Sequence, residues 1–174
     1  GVAPYSVVST QGQKAYVSNW GGRRPVEGET VYYTSGSPVL IDPNTGIANN
    51  GSVSVVDLNQ MKEVKSIDVG LHPSGMVLSP DSRKLYVACA NSDIISVIDT
   101  EKDEVIEEIN VHIEEKSLFS SSPNSLAISN DGKILYAANG TDNALCVIST
   151  DNQAKVLGFI PTGWLPGAVI LDRE

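Results

Sequence analysis

The sequence is poor in cysteine, histidine and basic residues, and no long apolar run occurs in it. Its 174 residues include two cysteines and two histidines. Cys89 and Cys146 form no CxxC or CxxCH motif and pair with no histidine, which excludes a zinc finger, a thioredoxin-type motif and c-type haem attachment. Twelve Lys and Arg stand against 21 Asp and Glu, a net charge of −9. That sign repels phosphate backbones and argues against nucleic acid as a partner. No apolar stretch approaches the ~18 residues of a spanning helix, so no membrane span is expected. The hydrophobic fraction of 41% and mean hydropathy of −0.06 are those of an ordinary globular chain. The length suits one or two domains. No signal peptide is visible, and whether Gly1 is a native or a processed start stays open.

What the sequence does have is an internal repeat. Pro4-Tyr-Ser-Val-Val-Ser, Lys14-Ala-Tyr-Val-Ser-Asn19 and Val53-Ser-Val-Val-Asp57 form a first copy. Pro73–Asp81, Lys84–Cys89 and Ile95–Asp99 form a second, and Pro123–Asp131, Ile134–Asn139 and Leu145–Ser149 a third. Proline to tyrosine is 12, 13 and 13 residues. From Tyr86 to Asp99 and from Tyr136 to Ser149 is 13 residues, whereas Tyr16 to Asp57 is 41, so the first copy carries an insert of 28. A fourth copy begins at Pro166-Gly-Ala-Val-Ile-Leu-Asp172.

Each copy reads as four short strands, A to D, rich in Val, Ile and Tyr. Connections such as Asn130-Asp131-Gly132-Lys133 are tight A–B hairpin turns that favour positive φ. Glu101–Ile109 has helix-like charge, but its apolar positions align with strand D elsewhere. The expectation is an all-β fold: a β-propeller segment of three four-stranded antiparallel blades plus the first strand of a fourth, an incomplete ring. Repeat 1 spans 1–70 with an inserted loop at 20–50, repeat 2 spans 71–122, repeat 3 spans 123–163, and repeat 4 starts at 164–174.

Tyr16-Val-Ser-Asn19, Ser79-Pro-Asp81, Tyr86-Val-Ala and Val97-Ile-Asp-Thr100 resemble the YVTN family of bacterial β-propeller repeats. Ser18–Pro25, Asp42-Pro-Asn-Thr-Gly46, Gly70–Gly75 and Gly158–Trp164 are similar to the N-terminal propeller of proteins that continue into an alkaline-phosphatase-like phosphoesterase domain. The resemblance implies an exported or surface-associated protein and a ring of about seven blades. This chain departs from it by holding three copies and a fragment, without a phosphoesterase domain.

Strand parity puts the B–C loop and the D-to-next-A loop of a blade on one side. Both insertions, Trp20–Asn50 and Ile113–Ser122, belong to that side, and long loops on one face of a rigid scaffold usually carry binding. The candidate ligand-binding residues are Trp20, Arg23, Arg24, His72, Asn124 and Trp164. The two indoles offer a platform for a sugar or planar ligand, against the commoner fate of packing. The arginines suit a carboxylate or phosphate, against support of the long loop. His72 suits a base or metal ligand at the channel rim, against a hydrogen-bonded rim side chain. His112 reads as a surface residue, and Asp42–Gly46 as a plain Asx turn that lacks the later Glu of a calcium loop. Tyr16, Tyr86 and Tyr136 recur and read as packing between blades. Asp57, Asp99, Asp81 and Asp131 read as turn residues, and Cys89 and Cys146 as small buried side chains.

No catalytic set is visible, and no metal or cofactor is expected. The leading expectation is a non-catalytic propeller segment binding a protein or small-molecule ligand on the long-loop face, in an extracytoplasmic protein. The alternatives are an accessory domain of a phosphoesterase and a lactonase- or quinoprotein-like propeller enzyme. Three blades cannot close a ring, so Val53, Val55, Val147 and Ala127 are expected on open terminal faces. Those faces, with an orphan strand at 168–171, point to a fragment of a longer propeller that self-associates.

Overall fold

The computed structural model describes residues 1–10, 12–34, 36–113 and 121–172. Strands β1 (Pro4–Ser9) and β2 (Lys14–Asn19) are followed by a small hairpin, β3 (Val31–Thr34) and β4 (Ser37–Leu40), and then by β5 (Gly51–Asp57) and β6 (Lys62–Val69). β7 (Pro73–Leu78), β8 (Lys84–Cys89), β9 (Ile94–Asp99) and β10 (Glu104–Asn110) come next. β11 (Pro123–Ile128), β12 (Ile134–Asn139), β13 (Ala144–Ser149) and β14 (Lys155–Pro161) close the described order. The twelve strands outside the hairpin make three four-stranded antiparallel sheets, β1-β2-β5-β6, β7-β8-β9-β10 and β11-β12-β13-β14. No helix occurs among the described residues. The helix-like charge of 101–109 falls on the C–D turn and on β10, an outer strand on which Glu104 and Glu108 are exposed and Glu107 accepts from Ala154 N.

Turn chemistry sets the hairpins. Asp57 Oδ1 accepts the backbone N–H of Asn59 and Gln60, and Asp99 Oδ1 those of Glu101 and Lys102. Asp81 and Asp131 each accept from the serine two residues earlier, at 2.6 Å, and from the backbone of Arg83 and Lys133. The expected positive φ is +74° at Gly132, and Ser82 takes +58° at the matching turn without a glycine.

The blades stack in one direction, and their cross-strand pairs show it. Tyr16 opposes Val55, Tyr86 opposes Val97 and Tyr136 opposes Val147. Tyr16, Val53 and Val55 pack with Leu85, Val87 and Ile98 of the second blade. One blade on, Tyr86, Ile95 and Val97 pack with Leu135, Ala137 and Ile148 of the third. The tyrosine side of each blade therefore faces the following one. Tyr16 donates to Asp103 Oδ1 at 2.5 Å, in the C–D turn of the next blade, and Lys14 joins the same carboxylate at 2.7 Å. Nearer the inner strands, a buried hydroxyl relay crosses the seam: Ser6 N donates to Ser18 Oγ, which donates to the carbonyl of Ser74.

Two expectations need correction. Val53 and Val55 are fully buried rather than open to solvent. Copies stacked in one direction present the same side forward, so the open counterpart of Val55 is Val147 of the last blade. Val147 is partly exposed, while Ala127 is buried at 9% exposure. Residues 168–171, expected as a strand, form none. They run beside β11, with Val169 N donating to Ser125 Oγ at 3.2 Å, but find no ladder partner among the described residues. Of the expected second insertion, residues 114–120 lie outside the described residues.

Candidate functional site

Four residues stand directly before the proline that opens, or would open, an A strand: Ala3, His72, Ser122 and Leu165. All four have positive φ, +51°, +58°, +50° and +48°. This left-handed step turns the chain onto the inner strand, and the proline then fixes φ and offers no N–H to leave unpaired. The carbonyls of the first three accept from the B–C turn of their own blade: Trp20 N to Ala3 O, Ala90 N to His72 O and Gly140 N to Ser122 O, at 3.0–3.1 Å. Leu165 N donates instead to Asn143 Oδ1, in the B–C turn of the third blade. These bonds tie the B–C turns and the entries to the A strands to one side of the molecule.

The insert of the first blade is folded there by its own polar groups. Arg23 grips Glu29 with two guanidinium nitrogens, at 3.0 and 2.5 Å, and Glu29 also accepts from Val26 N. The guanidinium holds the Glu29 carboxyl down at a pKa of about 2. Arg23 N donates to Asn50 Oδ1, closing the loop at its far end. Asp42 Oδ1 accepts from Asn44 N and Thr45 N, an Asx turn. Thus braced, the β3–β4 hairpin stands against the 70–72 turn and leaves a cavity of about 300 Å³ between them. Trp20 and Gly21 line it from the start of the insert, Tyr32 and Thr34 from β3, and Leu71, His72 and Asn91 from the second blade.

Trp20 and His72 meet edge to face, with centroids 3.9 Å apart and planes at 74°. His72 Nδ1 lies 3.1 Å from Asn91 Oδ1. An amide oxygen only accepts, so Nδ1 is the donor in this contact. Burial pushes the imidazole pKa below its ordinary value, against a smaller upward pull from Asn91. No Asp, Glu, Lys or Arg is among the described residues lining the cavity.

Of the six residues singled out in the sequence, Trp20 and His72 come together in this cavity. Arg23 is occupied by Glu29, and Arg24 lines a separate recess with Gly1, Val2 and Ser37. Asn124 sits at the start of β11, its amide nitrogen 3.3 Å from the carbonyl of Pro166. Trp164 lies on the same side but outside the cavity, 90% exposed, so the two indoles form no joint platform. His112 is half-buried, its Nδ1 3.6 Å from Asp93 Oδ2, because Val111 N donates to the Asp93 carbonyl and draws the end of β10 inward. Sequence reasoning missed Tyr32, Thr34 and Asn91. The first two lie in an insert without a counterpart in other copies, and Asn91 reads as an ordinary turn residue.

Cys89 and Cys146 are buried free thiols, and burial pushes their pKa values up to about 11 and about 12. Among the described residues, no three His, Cys, Asp or Glu side chains converge as a metal-ligand group.

Solved structures similar to this chain carry varied names. Hydrazine synthase of Kuenenia stuttgartiensis matches at 26% identity and a TM-score of 0.68, covering 95% of this chain and 38% of that one. A candidate 6-phosphogluconolactonase of Bacteroides fragilis matches at 15% identity and 0.63, covering 97% and 41%. A gluconolactonase of Xanthomonas campestris matches at 19% and 0.62, covering 99% and 52%. The last two likenesses concern the fold alone, and the chain spans about two fifths to one half of these proteins' lengths. No curated protein matches at a significant level. The description of one protein family, the seven-bladed β-propeller lactonases, matches residues 48–165, and the chain belongs to that family.

Proposed function

We propose that this chain is a ligand-binding portion of a lactonase-family propeller, and that the side carrying the inserted hairpin takes a small molecule. The observation that carries the reading is the cavity in which Trp20, Tyr32, His72 and Asn91 converge from two blades. Its size is at the lower end of the ~300–1,000 Å³ of small-molecule sites, and its walls combine aromatic rings with a few polar groups, as such sites do. In this reading the described residues bind rather than turn over. The YVTN-like motifs extend the reading to an extracytoplasmic protein, with a further blade, a second copy or a phosphoesterase partner against the open face of Tyr136 and Val147.

Backbone amide shifts measured on adding indole, a neutral sugar and a sugar lactone test the reading. Perturbations confined to residues 20–48, 71–72 and 91 support it. Perturbations centred on a second groove, lined by Val77 of β7, Leu126 of β11 and Val169, would overturn it.

Lactone hydrolysis is the second reading, favoured by the family match. His72, with Nδ1 against Asn91 Oδ1 and its pKa lowered by burial, would offer Nε2 as a general base. Ring opening of a sugar lactone to its acid releases a proton, so acid release abolished by His72→Gln would establish turnover.

A further inference from the structure

We infer that the cavity between the inserted hairpin and the 70–72 turn selects an uncharged saccharide ring over anionic sugars. The inference rests on the binding reading above and names the ligand class for that site.

The shape comes first. Trp20, Tyr32 and Leu71 give apolar walls on separate segments, and Trp20 is held by its edge contact with His72. Tyr32 is exposed and Trp20 is 39% exposed, so both rings keep surface for a ligand. Saccharide rings present C–H faces to aromatic rings and hydroxyls around their rims. Thr34, His72 and Asn91 supply a hydroxyl, an imidazole and an amide in the same cavity. Leaving such groups unpaired on binding is costly, which favours a hydroxylated ring over a bare hydrocarbon.

Charge decides between neutral and anionic sugars. No cation lines the cavity among the described residues. Arg23, the cation of the same insert closest in sequence to Trp20, is already paired with Glu29. Burial of His72, whose Nδ1 lies 3.1 Å from Asn91 Oδ1, disfavours its charged form, and the chain carries −9 overall. A carboxylate or phosphate placed here would lose hydration without gaining a cationic partner. The indole of Trp20 stands in the wall, which makes its emission the natural reporter.

The test uses the full chain carrying Trp164→Phe, which leaves Trp20 as the sole tryptophan and changes a residue outside the cavity. Methyl β-glucopyranoside, N-acetylglucosamine and cellobiose are titrated against glucuronate and glucose 6-phosphate. The expected result is a saturable change in Trp20 emission with at least one neutral sugar, with the anionic sugars weaker by about tenfold or more. Tyr32→Ala, at an exposed position, should weaken the neutral sugar while the melting curve stays in place. Anionic sugars binding as tightly as neutral ones, or no saturable response to any neutral sugar, would overturn the inference. Backbone amide shifts on adding indole then separate the two levels: a response to indole alone leaves the small-molecule site standing and removes the saccharide, whereas silence to both removes both.

Discussion

Trp20 and His72, carried by different blades, meet edge to face with ring centroids 3.9 Å apart. The contact couples the start of the inserted loop to the left-handed turn that opens the second blade. His72→Asn should keep the backbone at its φ of +58°, which asparagine tolerates, and remove the ring. The expected cost is about 0.5–1.5 kcal/mol, the worth of an aromatic contact. Trp20 emission should move to the red, and urea unfolding followed by fluorescence reads both quantities. Unchanged emission would mean that the contact does not hold in solution. His72→Val should cost more, because a β-branched side chain resists positive φ.

Tyr16→Phe keeps the buried ring and deletes the hydroxyl that reaches Asp103 in the next blade. A hydrogen bond to a charged group is worth about 1.5–3 kcal/mol. Asp103 retains Lys14 in the variant, so the lower half of that range is expected. Tyr136→Phe, on the open side of the last blade, should cost less. Thermal unfolding of the two variants compares a closed seam with an open face, and equal losses would contradict the stacking direction.

Acid should weaken the turns together. Glu29 is held at about 2, first by Arg23 and then by the Val26 N–H. Asp42, Asp57 and Asp99 are lowered chiefly by backbone N–H groups, and Asp81 and Asp131 chiefly by serine hydroxyls. A carboxylate whose folded pKa is depressed stabilises fully above its unfolded value, near 4, and loses that contribution as pH falls through the folded value. Melting temperature should therefore fall as pH drops from about 4 toward 2. A flat profile across that window would show that these bonds are not made.

Both thiols should be silent in the native protein. Cys89 and Cys146 are buried with pKa values near 11 and 12, so at neutral pH neither is exposed nor ionised. Iodoacetamide should label neither in buffer and both in denaturant. Rapid native labelling of Cys146 would show that the third blade opens.

The blades were legible because repetition supplies a register. Recurrence of Tyr16, Tyr86 and Tyr136 located the B strands, and Asp57 and Asp99 marked turns that the side chains do hold. The direction of stacking was not legible. Val53 and Val55 have the same alternating pattern whether the blade's neighbour lies on one side or the other, and only packing reveals the buried side. Residues 168–171 carry strand composition, but a strand also needs a ladder partner. The site was half legible. Trp20 opens the insert and His72 stands at the entry to the second repeat, whereas Tyr32 reaches the cavity through a hairpin that no other copy contains. Arg23 looked like a ligand clamp because Glu29, its partner, lies within the same unrepeated loop.

The two imidazoles and two indoles of this chain divide evenly between the cavity and elsewhere: His72 and Trp20 inside, His112 and Trp164 outside. A side-chain NMR titration with a neutral sugar therefore carries its own control. Binding at the cavity should shift the Trp20 indole and His72 ring signals together and leave those of Trp164 and His112 in place. Shifts at Trp164 or His112 with Trp20 and His72 unmoved would contradict the account.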